Sequence, residues 1–258
     1  MSDEEQVEPR RNHRSLDADR ERYRAPALDK GLDILELLSE QPYGLTRAEI
    51  VKAMDRSQSE IYRMLERLVA REYVNRSAEG DRYALSLKLF VMANRHPPLH
   101  RLVARAAPVM EAFAERAQQS CHLGVHDRGM VLIAAQVNGP GQISLSLRIG
   151  ARIPLASTAS GRVLLAFDPE VGRHAPLAGE PLAPAETLEA IRLRGHWIGD
   201  SLQAFGVIDI SWPILDPAGI ALAVLTCPFI RPLDHPGSMT IEETAALLGA
   251  AARDLSIR

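Results

Sequence analysis

Two helix starts stand eleven residues apart, at Thr46 and Ser57, and each is followed three residues later by a glutamate: Thr46-Arg47-Ala48-Glu49 and Ser57-Gln58-Ser59-Glu60. A hydroxyl and a carboxylate at this spacing form a capping box, in which the two side chains satisfy free backbone N–H groups in the first turn of a helix. The pattern predicts two short helices joined by a tight turn at Asp55-Arg56. Downstream, Tyr73-Val74-Asn75-Arg76 and Arg82-Tyr83-Ala84-Leu85 read as β runs split by Glu79-Gly80-Asp81, so a hairpin follows. Two capped helices and a hairpin predict a winged helix-turn-helix, a module that places a helix in the DNA major groove.

Periodicity supplies the core of that module. Leu28, Gly31, Leu32, Ile34, Leu35 and Leu38 recur at helical spacing, and Pro42 and Gly44 end the run. The second helix spans Arg47 to Met54 and buries Ile50 and Met54; the third runs from Gln58 to about Ala70 with Ile61, Leu65 and Leu68 inward. Ser57, Gln58, Ser59, Tyr62, Arg63 and Arg67 then make up a polar row. Serine and glutamine both donate and accept, and arginine grips phosphate or a guanine edge, so this row has the chemistry of a DNA-reading face. Arg47 and Lys52 on the preceding helix suit the phosphate backbone, and Arg82 beside the hairpin suits phosphate or the minor groove. Glu60 and Glu66 oppose this, because phosphate repels them. Glu60 has its capping role, and Glu66 either pairs with Arg63 or points away. Periodicity alone does not separate this face from an ordinary charged surface.

A chain of 258 residues has room for one large domain or two ordinary ones, and a hydrophobic content of 46% supports real cores. The formal net charge of −3 argues against a histone-like protein but not against a DNA binder, because DNA is met by a local face. Cys121 and Cys227 are too few for a disulfide framework or a four-thiolate zinc site and fit a reducing compartment. No apolar run is long enough to span a membrane. Asp3, Glu4, Glu5 and Glu8 stand where a signal peptide is positive, so the expected location is the cytoplasm. Residues 1–25 are nearly devoid of apolar side chains and predict a disordered tail, its six arginines from Arg10 to Arg24 either brushing phosphate or simply solvated.

The expected winged helix-turn-helix covers 26–86. A linker, 87–98, contains Leu87, Leu89, Phe90, Val91 and the Pro97-Pro98 junction, and a second domain fills 99–258. That domain opens with a helix from Leu99 to Gln118 containing Pro108. Strands are expected at Cys121–Val125, Met130–Gln136, Ile143–Leu147, Val207–Trp212 and Ile220–Thr226, helices at Ser160–Phe167, Ala185–Leu193 and Met239–Leu255, and a loop at Gly172–Pro184. Strand and helix do not alternate cleanly, and no glycine-rich nucleotide loop is present. The fold class is therefore α+β, with a mixed α/β sensor-like second domain and not a doubly wound sheet.

No zinc-hydrolase motif, Walker loop or nucleophile elbow appears, so the chain reads as a non-enzyme without a cofactor. His122 and His126, four apart on an expected strand, make a metal pair conceivable but lack a third ligand. His174 and His196 are isolated and read as surface or packing residues. The two cysteines read as buried. Asp209 interrupts the apolar run Val207-Ile208-Asp209-Ile210-Ser211-Trp212; it either faces a wet pocket or is a hydrogen-bonded structural residue. Ser157, Thr158 and Ser160 precede or enter a helix whose free N–H groups either receive an anion or are simply capped.

Three segments together resemble one known family. Ala27-Leu28-Asp29-Lys30-Gly31-Leu32-Asp33-Ile34-Leu35-Glu36 looks like its opening helix, and Ile61-Tyr62-Arg63-Met64-Leu65-Glu66-Arg67-Leu68 like its recognition helix. Pro154-Leu155-Ala156-Ser157-Thr158-Ala159-Ser160-Gly161 and the Arg162-to-Phe167 run after it look like its most recognisable effector-domain segment. This is the IclR family of bacterial transcription regulators, and the likeness runs from about residue 27 to 255. The resemblance implies a winged helix-turn-helix, a linker helix and a GAF-like effector-binding and oligomerisation domain. It implies a homodimer, with pairing into a homotetramer left open, that binds a double-stranded DNA operator under the control of a small organic effector, often a carboxylate or aromatic compound. Matched by position, the implied effector residues are Ala156, Ser157, Thr158, Asp209, Ser211 and Leu222. Three departures stand out: Glu60 where the family usually has Thr, Asp209 where it has a small residue, often Cys, and Trp212 where a small residue precedes the proline. A carboxylate at 209 predicts an altered effector, hydroxylated or cationic instead of anionic. The rival reading is a small-molecule-binding assembly protein without DNA activity.

Overall fold

The computed structural model describes residues 25–79, 81–95, 97–173, 183–231 and 238–257. Apart from Ala25, the tail read over 1–25 lies outside the described residues, as do Gly80, His174 and most of Gly172–Pro184. The chain divides into two compact units, Met1–Arg95 and His96–Arg258.

In the first unit, α1 (Pro26–Ser39) leads through β1 (Leu45–Thr46) into α2 (Arg47–Met54) and α3 (Gln58–Ala70), followed by β2 (Val74–Arg76), β3 (Arg82–Leu85) and α4 (Lys88–Asn94). Both capping boxes form, at Thr46 with Glu49 and at Ser57 with Glu60, which is why α2 and α3 begin where they do. Asp55, in the left-handed region at φ 49°, ends α2 and turns the chain. Ile34, Leu38, Ile50, Ile61, Leu65, Val74 and Tyr83 close a single core. Burying each such aliphatic side chain stabilises the unit by about 1.5–3 kcal/mol, enough in sum to hold helices too short to persist alone. The hairpin pairs Asn75 with Ala84, and β1 adds a third strand through Leu45 and Tyr83, giving the order β1-β3-β2.

The second unit comprises α5 (Pro97–Ala117), β4 (Cys121–Asp127), β5 (Met130–Val137), β6 (Arg152–Pro154), α6 (Ala159–Phe167), α7 (Pro169–Arg173), α8 (Ala185–Arg194), β7 (Trp197–Asp200), β8 (Ile208–Leu215), β9 (Ala221–Phe229) and α9 (Ile241–Leu255). Its six strands form an antiparallel sheet in the order β6-β5-β4-β9-β8-β7. Alternation along each strand feeds two cores. Ile210 and Ile214 join Met110 and Phe113 of α5 and Leu248 of α9 on one face. Val131 and Val224 join Val163, Leu164 and Ile191 on the other, beneath α6 and α8.

The sequence reading has no β1, β6, α7 or β7, and it places a strand where the structure has none. Residues 143–147 form no strand, and Ile143 is 81% exposed. The Leu147 N–H is taken by the Gln136 side chain at 3.2 Å, while β5 pairs instead with β6, Val131 opposite Ile153. Of the elements not read, β7 is a four-residue edge strand that includes Gly199, too short to show an apolar alternation, and β1 and β6 are shorter still. Among the described residues no helix is long and apolar enough to cross a membrane.

Candidate nucleic-acid interface and effector site

Helix α3 buries Ile61 and Leu65 completely, and this fixes which side of it faces solvent. Gln58, Ser59, Tyr62, Arg63 and Arg67 are exposed on the remaining surface. Ser57 is occupied by capping: its hydroxyl accepts from the Glu60 N–H at 3.4 Å and donates to Glu60 Oε2 at 2.7 Å. The Arg47 guanidinium lies 5.7 Å from the Tyr62 ring centroid, a cation–π contact that steadies the ring and keeps the charge beside the row.

The acidic residues are accounted for locally. Glu60 bonds Lys30 of α1, and Lys30, followed by the Ser57 hydroxyl and N–H, holds its pKa down to about 2. Its charge is thereby neutralised on the α1 side of the helix. Glu66 lies 3.9 Å from Arg76 of the hairpin, so its partner is Arg76 and not Arg63. Arg82 is also engaged: its Nη1 donates to the Gly44 carbonyl at 3.0 Å and stands 3.9 Å from Glu49. The guanidinium therefore braces the root of the hairpin and is not held out toward phosphate. Sequence reasoning passed over Lys30 and Arg76, since neither partnership has a local spacing that would reveal it.

In the second unit the segment before α6 is held by close backbone packing. Thr158 caps the helix, accepting from the Gly161 N–H at 3.1 Å and donating to the Pro154 carbonyl at 2.7 Å. A Cβ on Gly161 would lie 1.9 Å from the Leu155 carbonyl oxygen, so only glycine fits. Ser160 is thereby aimed at the sheet. Its hydroxyl lies 2.9 Å from Thr226 Oγ1 and 3.2 Å from His122 Nε2, and Thr226 Oγ1 lies 2.8 Å from Ser211 Oγ. His122, Thr226 and Ser211 are direct cross-strand neighbours on β4, β9 and β8. All four side chains of this chain are buried, with Ser211 completely enclosed. Burial holds the His122 pKa down to about 4, so its ring is neutral near pH 7.

Asp209 lies two residues before Ser211, on the same face of β8. Burial raises its pKa, and a hydrogen bond from Ser201 partly offsets that. Ala156 is buried and Ser157 half-buried beside the Thr158 cap. Leu222 is set apart from the others. It falls at the β8–β9 irregularity between Ile214 and Leu215, four residues from Thr226, and is 40% exposed. Trp212 faces the opposite core. It stacks on His196 with centroids 4.4 Å apart and fills the space over Gly249, where a Cβ would meet the indole at 2.6 Å. His126 accepts from the Gly129 N–H at 3.0 Å, so the two histidines of β4 serve different local structures and do not share a site. Among the described residues no group of three or more His, Cys, Asp or Glu side chains is placed to hold a metal ion. Cys121 and Cys227 are buried free thiols, and burial pushes Cys121 up to about 12 and Cys227 well above its ordinary value. A surface cleft of about 320 Å³ between α8 and β7, bounded by Glu186, Ile191, Arg194 and Trp197, includes none of the six effector candidates.

Residues 99–257 match the family described as bacterial transcriptional regulator IclR C-terminal, and residues 27–78 match the IclR helix-turn-helix domain. The chain is 28% identical over 257 residues to the HTH-type transcriptional regulator KdgR of Escherichia coli K12, covering 94% of this chain and 95% of that protein. It is 29% identical over 244 residues to the glycerol operon regulatory protein of Streptomyces griseus, covering 89% and 96%. The fold is shared with an IclR homolog from Microbacterium hydrocarbonoxydans complexed with 4-hydroxybenzoate, at TM-score 0.72 and 23% identity over 89% of this chain and 97% of that one. It is shared as well with Pseudomonas aeruginosa HmgR, at TM-score 0.68 and 24% identity over 90% and 98%.

Proposed function

Because this chain belongs to the IclR family of DNA-binding transcriptional regulators, we propose that α3 enters the major groove of a double-stranded operator as one of a symmetric pair. The observation that carries this is the exposed row Gln58, Ser59, Tyr62, Arg63 and Arg67, with the negative charge of Glu60 turned toward Lys30. Gln58 and Ser59, in the first turn, meet base edges; Arg63 and Arg67 meet phosphate or guanine. Arg47 supports Tyr62 and contacts the backbone.

The working form is a homodimer. Two α3 helices about 34 Å apart then meet successive major grooves on one side of the duplex. Supporting this, Leu28 and Leu32 of α1 are 61% and 47% exposed, and Leu87 and Phe90 at α4 are 78% and 67% exposed. Apolar side chains in this number call for a covering surface. The second unit binds a small organic effector along the Ser160–Thr226–Ser211 face. Occupancy shifts operator binding because the ligand favours one arrangement of the dimer over another. The protein acts in the cytoplasm, and no catalytic step is part of this reading.

The test is selection of bound fragments from the native genome, followed by gel shifts with wild type and Arg63→Ala. Arg63→Ala is expected to weaken operator binding and, if the contact is to phosphate, to make the dependence of affinity on salt shallower by about one ion. Equal affinity in the variant would remove α3 from the interface.

A further inference from the structure

The buried chain His122–Ser160–Thr226–Ser211 ends on an open atom. His122 is 4% exposed and its Nε2 meets Ser160, yet its Nδ1 is enclosed with no hydrogen-bond partner. Such an atom is costly to leave unpaired. The neighbour across the sheet, Gln136, does not serve it: its Oε1 accepts from the Leu147 N–H, and its Nε2 donates to the Val137 carbonyl and to Asn138 Oδ1. Ser160 and Thr226 are already joined to each other and to their neighbours.

We propose that the effector of this chain is an uncharged, hydroxyl-bearing molecule of the small polyol class, and that one of its hydroxyl groups pairs with His122 Nδ1. The reasoning is a count of donors and acceptors. If Nε2–H donates to Ser160, Nδ1 is a bare acceptor and needs a donor. If Ser160 donates to Nε2, Nδ1 carries the proton and needs an acceptor. A hydroxyl supplies either; a carboxylate supplies only the second. A carboxylate would also bring a second carboxyl group to the sheet face that already holds Asp209, whose side chain is partly buried and hydrogen-bonded by Ser201. The imidazole offers an anion no compensating charge, since burial keeps it neutral. Arg162 of α6 has its guanidinium 4.9 Å from the Trp197 ring centroid and its Nε buried without a hydrogen-bond partner, so its charge is turned toward β7 and not toward the Ser160 chain.

The inference rests on the effector reading above. Its test uses the full-length chain with nitrogen-15-labelled histidine, titrated with glycerol, xylitol and glucose and, separately, with pyruvate, glyoxylate and 4-hydroxybenzoate. The expected result is saturable binding of a polyol that moves the His122 nitrogen signals and weakens about tenfold in His122→Phe, the size of one hydrogen bond to a buried group. Saturable binding of a carboxylate, or of no polyol, overturns the proposal. So does polyol binding that leaves the His122 signals unmoved, a readout that needs no variant to fold. Gel shifts keep the two readings apart. A polyol that binds without altering operator affinity removes effector control and leaves the ligand class standing. A carboxylate that alters operator affinity does the reverse.

Discussion

Glu60 carries a negative charge on the helix proposed to enter DNA, and its partners determine what that charge does. Lys30 and the Ser57 cap hold its pKa down to about 2 from an ordinary 4.5. A depressed carboxylate contributes stability that is complete above the ordinary value and is lost as pH falls through the folded one. Wild type is therefore expected to lose melting temperature between about pH 4.5 and 2 by more than Glu60→Gln does, followed by thermal melts across that range. His122 behaves likewise in a higher window, because a buried neutral histidine must charge on unfolding. With a folded value of about 4 against 6.5, the ring stays neutral in the fold while the unfolded chain takes up a proton, so stability is unaffected by this group above pH 6.5 and falls as pH drops toward 4. Denaturant titrations of wild type and His122→Asn at pH 7.5 and 5 are expected to show the gap narrowing at the lower pH. Gly161 is a steric requirement that a sequence reader sees only as a turn residue. Gly161→Ala forces a Cβ against the Leu155 carbonyl and is expected to cost about 3 kcal/mol in urea unfolding.

At the scale of elements, boundaries marked by side-chain chemistry were legible before folding, and boundaries set by a neighbour were not. Helices α2 and α3 begin at their capping boxes and run over Arg47–Met54 and Gln58–Ala70, the limits read from the sequence. Ser57→Ala removes that cap and is expected to lower stability by about 1 kcal/mol, read from denaturant midpoints. It also frays the turn that holds Gln58 and Ser59, so operator affinity should fall further than the stability loss alone explains. Residues 143–147 carry strand-like side chains yet lie outside the sheet, where the Leu147 N–H meets the Gln136 side chain and not a neighbouring strand. In β8 the alternation was plain, but the destinations of its two faces were not. Ser211 joins the buried hydroxyl chain, while Trp212 packs over Gly249 in the other core.

For the whole molecule, the apolar side chains around α1 and α4 carry the prediction. If Leu28, Leu32 and Phe90 meet a second copy, Phe90→Asp should shift sedimentation toward monomer and weaken operator binding cooperatively, while a single isolated unit keeps its fold. The sequence alone determined that there are two units, because the capped helices and hairpin end before the proline pair and a separate strand-rich pattern begins after it. It also determined which residues of α3 face solvent, since a three-helix core with Ile61 and Leu65 inward leaves Gln58, Ser59, Tyr62, Arg63 and Arg67 on the other side. It did not place the long-range pairings of the two candidate sites. Lys30 is thirty residues from Glu60, and His122 is brought to Ser160 and Thr226 only when β4 and β9 align beneath α6. Periodicity along a chain reports which side of an element is buried. Which polar atoms then meet, and which one is left without a partner, depends on register between segments distant in sequence, and only the tertiary structure sets that.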